Sequence, residues 1–403
     1  MTRMGKGLPQ EALLRRRHEA LAAVRLRKRR PSGLDSMRVL KESIQCGGIA
    51  QFADAHTAQS DPSAFVKSGS AKCRMIVISN HQAPGDVLML TAAVRDLHRA
   101  HSRSFALAAD TSCGALWEHN PYIEVLNSHT QQNACLIQCH YPLVHRSNQI
   151  PYHFLHGFIQ YLEQQLQVRI PLTEFKGDIH LSEEERQVPS LVERMGQGRD
   201  FWILMAGGKY DFTTKWWDPR SYQRVVDHFR GKILFAQCGE ASHWHPPLNG
   251  VVNLVGKTDL RQFIRLMYHA SGVVCPVTFA MHLAAAVPTK TGHLRPCVVV
   301  AGGREPPHWE AYPGHRFLHT VGALPCCANG GCWRSRCQKV GDGDQKDQTN
   351  LCERPVRVDV PVSVNGRHLD SVSIPQCMSM IRPEDVIRAI ESYYEGGILS
   401  YNN

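Results

Sequence analysis

Four groups of residues in this sequence have the side chains and the spacing to do chemistry. The first is a lone acid, Asp86, which follows Pro84 and Gly85 in NHQAPGDVLMLTAAV, where a short apolar run gives way to a turn and then to a helical pattern. A carboxylate there serves either as a general base or as a helix cap, since Asp satisfies the free amides of a first turn well. The second group lies in MAGGKYDFTTKWWDP, where Lys209, Thr214 and Lys215 follow another apolar run. Lysines and hydroxyls in a glycine-bearing turn suit an anion such as a phosphate. The third is CPVTFAMHLAAA, with Thr278, Met281 and His282 at the opening of a helix whose small residues let its amides approach a phosphate. The fourth is cysteine: Cys326, Cys327, Cys332, Cys337, Cys352 and Cys377 crowd one C-terminal stretch.

That crowding is hard to explain by core packing. A tetrahedral thiolate site needs four ligands and suits iron or zinc, and one of Cys326 and Cys327, with Cys332, Cys352 and Cys377, makes a set. The spacing is not that of two Cys-x-x-Cys knuckles, so reduced structural thiols are the alternative. Glu240, in FAQCGEASHWHPP, is placed to accept from ribose hydroxyls; the nearby His243 and His245 are too few to hold a metal by themselves. Lys257 and Thr258 precede a helix, and Asp110 ends an apolar run, where it orients an acceptor or caps a helix. GDGDQKDQ, from Gly341, lacks the central Gly and distal Glu of a calcium loop and reads as a surface loop.

These residues need a scaffold that brings loop ends together. Cys73–Asn80 and FALAAD, ending at Asp110, read as buried strands on either side of a helix that starts near Val87. The same rhythm resumes with apolar runs at Phe201, Lys232, Val251, Gly272 and Pro296, separated by helical stretches. Such alternation calls for parallel sheets, hence two Rossmann-like halves whose ligands sit outside the carboxyl ends of the strands. The charged, Pro- and Gly-bearing stretch 181–200 marks the boundary. The expected organisation is a basic helical or linker region over 1–70, a first Rossmann-like domain over 71–190, a second over 191–325, a cysteine-rich knuckle over 326–380 and a helix over 381–403 that returns to the first domain.

At 403 residues the chain exceeds what one hydrophobic core supports, and its 43% hydrophobic and 20% charged content is that of a globular protein. No window has the ~20 apolar residues of a membrane span, and the start has no signal-peptide pattern, so the chain reads as cytoplasmic, with thiols kept reduced. The formal net charge of +10 favours anionic partners. Much of the excess lies in Arg15, Arg16, Arg17, Arg25, Arg27, Lys28, Arg29 and Arg30, on a solvated arm or a segment that docks on an acidic or membrane surface.

PGDVLMLTAAVRDL, the Lys215-Trp216-Trp217 element and CPVTFAMHLAAA together resemble glycosyltransferase family 9, the bacterial ADP-heptose heptosyltransferases. The cysteine-rich stretch resembles the autotransporter heptosyltransferase branch, in which an iron-binding knuckle is appended. This resemblance implies a GT-B architecture, two Rossmann-like domains facing a cleft, the first the acceptor side and the second the donor side, with a C-terminal metal knuckle. It implies inverting transfer of heptose from ADP-heptose to an acceptor hydroxyl, on an autotransporter protein, a lipopolysaccharide core or a small molecule. Asp86 takes the role of base, and Thr214, Lys215, Glu240, Lys257, Thr278, Met281 and His282 those of donor contacts, which makes Lys215 a stronger candidate than Lys209. The metal is structural iron, or zinc, on Cys326, Cys327, Cys332, Cys352 and Cys377; the assembly is a homo-oligomer, and nucleic acid is no partner. Val277 and Phe279 replace the family's Asp and Gly, which loosens transfer of donor contacts. The N-terminal seventy residues have no counterpart. A GT-B epimerase, or a non-catalytic nucleotide-sugar-binding assembly protein, would share the scaffold.

Overall fold

The structure, a computed structural model, describes residues 75–125, 134–139, 152–195 and 200–401. The chain divides into Met1–Ser70 and Ala71–Asn403. The basic arm expected from Arg15 to Arg30 lies outside the described residues.

Within the second unit, β1 (Met75–Asn80) leads into α1 (Pro84–His101), and β2 (Ala106–Thr111) and β3 (Ala134–Gln138) complete a sheet of described strands, all parallel, in the order β2-β1-β3. All six residues of β1 are buried, as its unbroken apolar run requires of a parallel strand covered on both faces. Residues 87–97 of α1 are buried as well, including Arg95 and Asp96, which satisfy each other at 2.9 and 3.0 Å while Arg95 also binds the carbonyls of Glu174 and Lys176. The first half closes with α2 (Leu155–Leu166), α3 (Glu183–Gln187) and α4 (Leu191–Arg194); α3 and α4 each start in a capping box, Ser182 with Glu185 and Ser190 with Glu193.

The second sheet contains β4 (Phe201–Leu204), β5 (Leu234–Gln237), β6 (Val252–Asn253), β7 (Gly272–Pro276), β8 (Cys297–Gly302) and β9 (His315–His319), all parallel, in the order β6-β5-β4-β7-β8-β9. Counted from its own first strand this is the 3-2-1-4-5-6 order of a doubly wound dinucleotide fold, whose ligand crevice lies where the order reverses, here between β4 and β7. Its helices are α5 (Pro219–His228), α6 (Leu260–His269), α7 (Phe279–Ala286) and α8 (Pro307–Glu310). β9, HRFLH, had not been expected as a strand: it is an edge strand with no fully buried residue, so it lacks the apolar run that marks its neighbours.

The cysteine-rich stretch contains α9 (Lys346–Thr349) and two small antiparallel pairs, β10 (Pro355–Val358) with β13 (Val372–Pro375) and β11 (Val362–Val364) with β12 (Arg367–Leu369), and it is followed by α10 (Gln376–Ser379). Val358, Val362, Val364, Val372 and Ile374 pack with Trp216 and Trp244, so this stretch has an apolar cluster of its own. The last helix, α11 (Pro383–Glu395), corrects an expectation. It packs on α5, β8 and β9 of the second sheet and does not return to the first, because Tyr393 binds the carbonyls of Cys297 and Gly314 and Tyr394 accepts from the Trp202 indole. Cys135 in β3 is disulfide-bonded, against the expectation of reduced thiols throughout, whereas eleven other described cysteines are free.

Candidate functional site

In the first sheet the order reverses between β1 and β3, and the loop after β1 crosses that point. Asn80 fixes its start: the side chain donates to the Cys139 carbonyl and accepts from the Gln82 amide, tying the ends of the two strands together. Pro84 opens α1, and Asp86, half-buried in the first turn, accepts from the Ala83 amide at 3.2 Å. Ala83 is the N-cap, so Asp86 is not the cap it was weighed against; from the third helical position it supplies the acid half of a capping box. Asp110, at the end of β2, accepts from Ser79 and from His81, both at 3.3 Å.

In the second sheet the loop after β4 turns through Gly207 and Gly208, whose φ values are 99° and 157°. A side chain at Gly207 would collide with the Trp244 carbonyl at 2.0 Å, so glycine is what allows this loop to pair with Trp244 through both Gly208 backbone groups. A short 3-10 segment, Tyr210–Lys215, then delivers Lys215. Its ammonium lies 3.0 Å from the Glu305 carboxylate, and the side chain as a whole keeps one fifth of its exposure. Burial, then the neighbouring Arg304, pull the ammonium down to about 7, while Glu310 and Asp86 act in the opposite direction. The contact with Glu305 also favours the charged form. Phe212 lies 5.5 Å from the Lys215 ammonium and 4.9 Å from the Arg304 guanidinium, giving both cations an aromatic face.

The two halves meet here. A side chain built at Gly85 would touch the His282 ring at 3.6 Å and the Phe279 backbone at 4.0 Å, so the turn that carries Asp86 abuts the start of α7. Thr278 is the extended N-cap of α7, and its buried hydroxyl has no partner. His282 bonds the Tyr312 hydroxyl at 2.7 Å and faces Glu310 at 3.3 Å, and Tyr312 in turn donates to Met89 of α1. Burial pushes the Glu310 carboxyl up, but His282, Lys215 and His153 more than offset this and hold it below its ordinary range. On the far side of the contact Arg261 of α6 reaches Glu185, Glu118 and the carbonyls of Ala115 and His180, clamping the second half to the first.

Not every expected site residue is offered to a ligand. The Thr214 hydroxyl donates to the carbonyls of Arg334 and Ser335 at 2.8 and 2.9 Å, so it anchors the cysteine-rich stretch and does not face a diphosphate. Met281 is fully buried in the core, and its amide is committed to the Thr278 carbonyl. Lys257, beyond the end of β6, donates to the Asn253 carbonyl from an exposed position two strands away from β4. Glu240, beyond the end of β5, is exposed and holds Ser242 and His243; the second strand of such a sheet is where a ribose-binding acid sits. His245 is used structurally, with one ring nitrogen on the Ala206 carbonyl. Sequence reasoning missed Arg304, Glu305 and Glu310, although GGREPPHWEAY follows an apolar strand as the other candidate loops do.

Cys326, Cys327, Cys332, Cys352 and Cys377 line one enclosed cavity of about 10 Å³, together with Thr214, Gly303 and Arg304. That is room for about one water-sized sphere, and donors of this kind suit a thiolate-bound ion. Cys337 stands outside this lining and donates its S–H to Cys352, which is pulled down to about 7 as a result. No three of these sulfurs lie within 4.8 Å of one another: among the described residues only Glu118, His119 and Glu185 have ligand atoms so close, and Arg261 already neutralises both acids of that trio. The acidic loop after Cys337 also closes on a side chain of the protein. Arg336, fully buried, takes Asp342 and Asp347 at 2.8 Å, with Asp211 and Asp344 within 4 Å.

Comparison with known proteins adds to this picture. Residues 105–292 match the family described as Glycosyltransferase family 9 (heptosyltransferase). That span includes Lys215, Thr278 and His282 but neither Asp86 nor the cysteine-rich stretch. No curated protein sequence matches. The fold is similar to a glycosyltransferase family 9 structure from Veillonella parvula DSM 2008, at 14% identity and a TM-score of 0.53, over 80% of this chain and 97% of that one. It is similar to the E. coli ADP-heptose lps heptosyltransferase II, at 13% identity and a TM-score of 0.51, over 81% of this chain and all of that one. It is also similar to TibC, a dodecameric iron-containing heptosyltransferase of enterotoxigenic E. coli solved with ADP-D-beta-D-heptose, at 14% identity and a TM-score of 0.54, over 82% and 79% of the two chains. At these identities the likeness speaks for the fold. No described helix is long and apolar enough to cross a membrane.

Proposed function

We propose that this chain is a glycosyltransferase that moves a heptose from ADP-heptose to an acceptor hydroxyl with inversion. The observation that carries this reading is that the turn bearing Asp86, at the reversal point of one parallel sheet, abuts the start of α7 in the other half, where Gly85 lies against His282 and Phe279, while Lys215, from the reversal point of the other sheet, feels the Asp86 charge. The family match over residues 105–292 supports it.

Asp86 accepts the acceptor hydroxyl's proton. The new bond forms from the acceptor oxygen to the anomeric carbon as that carbon's bond to the diphosphate oxygen breaks, and ADP carries away the electron pair. Lys215, with Arg304 behind it, stabilises the charge that gathers on the leaving diphosphate. The Thr278 hydroxyl and the first amides of α7 hold the same group, and Glu240 fits the ribose. Because Asp86 and Lys215 stand on different sheets, the Arg261 clamp and the Gly85 contact set the distance over which transfer occurs.

The five thiols around the small cavity are the donor class that iron or zinc takes, and three or more of them would have to draw closer than 4.8 Å to hold such an ion, which would then cross-link the stretch 326–377 through strong metal–thiolate bonds. The Cys332 to Gln338 segment is bonded directly to Thr213 and Thr214, so that cross-link would brace the Lys215 loop. We read the acceptor as a protein hydroxyl and the working form as a homo-oligomer.

The test is release of ADP from ADP-heptose, with ADP-glucose and UDP-glucose as competing donors, in the presence of an autotransporter passenger, a lipopolysaccharide core or neither. Acceptor-dependent ADP release from ADP-heptose is expected, and mass gain on the acceptor identifies it. Conversion of the donor to an isomer with no acceptor present would make the chain an epimerase. Binding without turnover of any donor would make it an assembly protein.

A further inference from the structure

Glu305 lies in the site but has no part in the transfer described above, and its surroundings are unusual. Its side chain is 5% exposed, directly after Arg304 in the loop that follows β8. One carboxylate oxygen takes both the Lys215 ammonium, at 3.0 Å, and the Arg304 guanidinium. The other oxygen is buried and has no partner. The Thr278 hydroxyl, at the start of α7, is in the same condition. Buried carboxylate oxygens are normally satisfied, because leaving one without a donor forfeits the hydrogen bonds that water would have given it.

A bare anion does not repair this arrangement. A diphosphate brings only acceptors, so it satisfies Lys215 and Arg304 and leaves Glu305 still without a donor. What the site lacks is O–H donors next to a phosphate. A glycosyl phosphate has that combination, since the ring hydroxyls of the sugar lie beside the phosphate that Lys215 holds.

We propose that Glu305 reads the donor's sugar: its unpartnered oxygen accepts a ring hydroxyl of the glycosyl group, while its other oxygen stays on Lys215 and Arg304. This deepens the transferase reading and rests on it. Glu305 then makes the site prefer a sugar-bearing nucleotide to the nucleotide alone, a preference that matters because ADP is the product that must leave.

Titration calorimetry with two ligands separates this role from a structural one. ADP and ADP-heptose are measured against wild type, Glu305→Gln and Glu305→Asp, each checked for an unchanged thermal midpoint. Gln keeps the shape and removes the charge that strengthens a hydroxyl contact; Asp keeps the charge next to Lys215 and withdraws the free oxygen by one methylene. Both variants are expected to weaken ADP-heptose at least tenfold and ADP by less than threefold. Equal losses for the two ligands in both variants, or no loss for the donor, would overturn the role of Glu305 and leave the transferase reading standing. Failure of wild type to bind either ligand would instead sink the transferase reading on which this inference rests. If Gln alone lowers the thermal midpoint, the Asp variant decides.

Discussion

Thr213 is the hinge pin between the cysteine-rich stretch and the loop that carries Lys215, and replacing it with Val tests how firmly the two are joined. The residue is fully buried. Its hydroxyl accepts from the amides of Cys337 and Gln338, at 2.8 and 3.0 Å, and donates to the Gln338 carbonyl at 2.9 Å. Val keeps the shape but leaves two amides and one carbonyl without their partner. At about 1 kcal/mol for each lost hydrogen bond, and more where the stranded group is out of reach of water, the cost is about 3 kcal/mol or above. In a folded unit of this size that corresponds to a fall in the thermal midpoint of about 6 °C. Thr213→Ser keeps the hydroxyl, loses one methyl and should cost about 1 kcal/mol. The informative assay runs calorimetry alongside the rate at which a thiol reagent modifies Cys337 and Cys352 in the folded protein. Val is expected to speed modification and raise KM for the donor, because Lys215 is two residues away; Ser should do neither. Equal midpoints for Val and Ser, with unchanged thiol reactivity, would show that the three contacts do not hold the stretch in place.

Two further outcomes follow from other parts of the structure. His153 and His315 are buried neutral, each pushed by burial down to about 3, well below the unfolded value of 6.5. Since the unfolded chain then binds more protons, stability should fall as pH drops below 6.5, by about 1.4 kcal/mol per pH unit for each histidine down to their folded values. Urea unfolding at pH 7, 6 and 5 should show this slope in wild type and a shallower one in His153→Gln; a pH-independent midpoint would refute it. Purified chain should contain about one iron or zinc per protomer by elemental analysis, and Cys352→Ser or Cys377→Ser should lower that content at least tenfold. Metal content equal to wild type in both variants would remove the thiol site.

The extent to which the sequence disclosed this arrangement depends on how each element earns its burial. β1, β4, β7 and β8 are covered on both faces and so carry unbroken apolar runs, which is why their positions and the loops after them could be read directly. β9 is an edge strand with no fully buried residue, and β10 to β13 are short antiparallel strands packed on Trp216 and Trp244, a partner that only the fold supplies. Asp86 and Lys215 were legible because a type of residue, a turn and a strand end coincide. Thr214 had the same credentials as Lys215, yet its hydroxyl was claimed by carbonyls 120 and 121 positions away. No local pattern announces a contact of that range. Glu305 was missed for the opposite reason: the post-strand logic applies to it fully, but an Arg-Glu pair before two prolines resembles an ordinary solvated turn until its burial is seen. The acidic loop after Gly341 was read as a surface loop, and only the structure shows that Arg336 organises it.

The most direct test of the shared site compares Asp86→Asn with Lys215→Met in single-turnover transfer from ADP-heptose, with ADP affinity measured on the same preparations. Asp86→Asn should leave ADP affinity unchanged and slow transfer by about 10²- to 10⁴-fold, the range for loss of a general base, whereas Lys215→Met should weaken ADP as well as slow transfer. Near-normal transfer by Asp86→Asn, or ADP binding indifferent to Lys215, would contradict the claim that these two residues act on one sugar from opposite sheets.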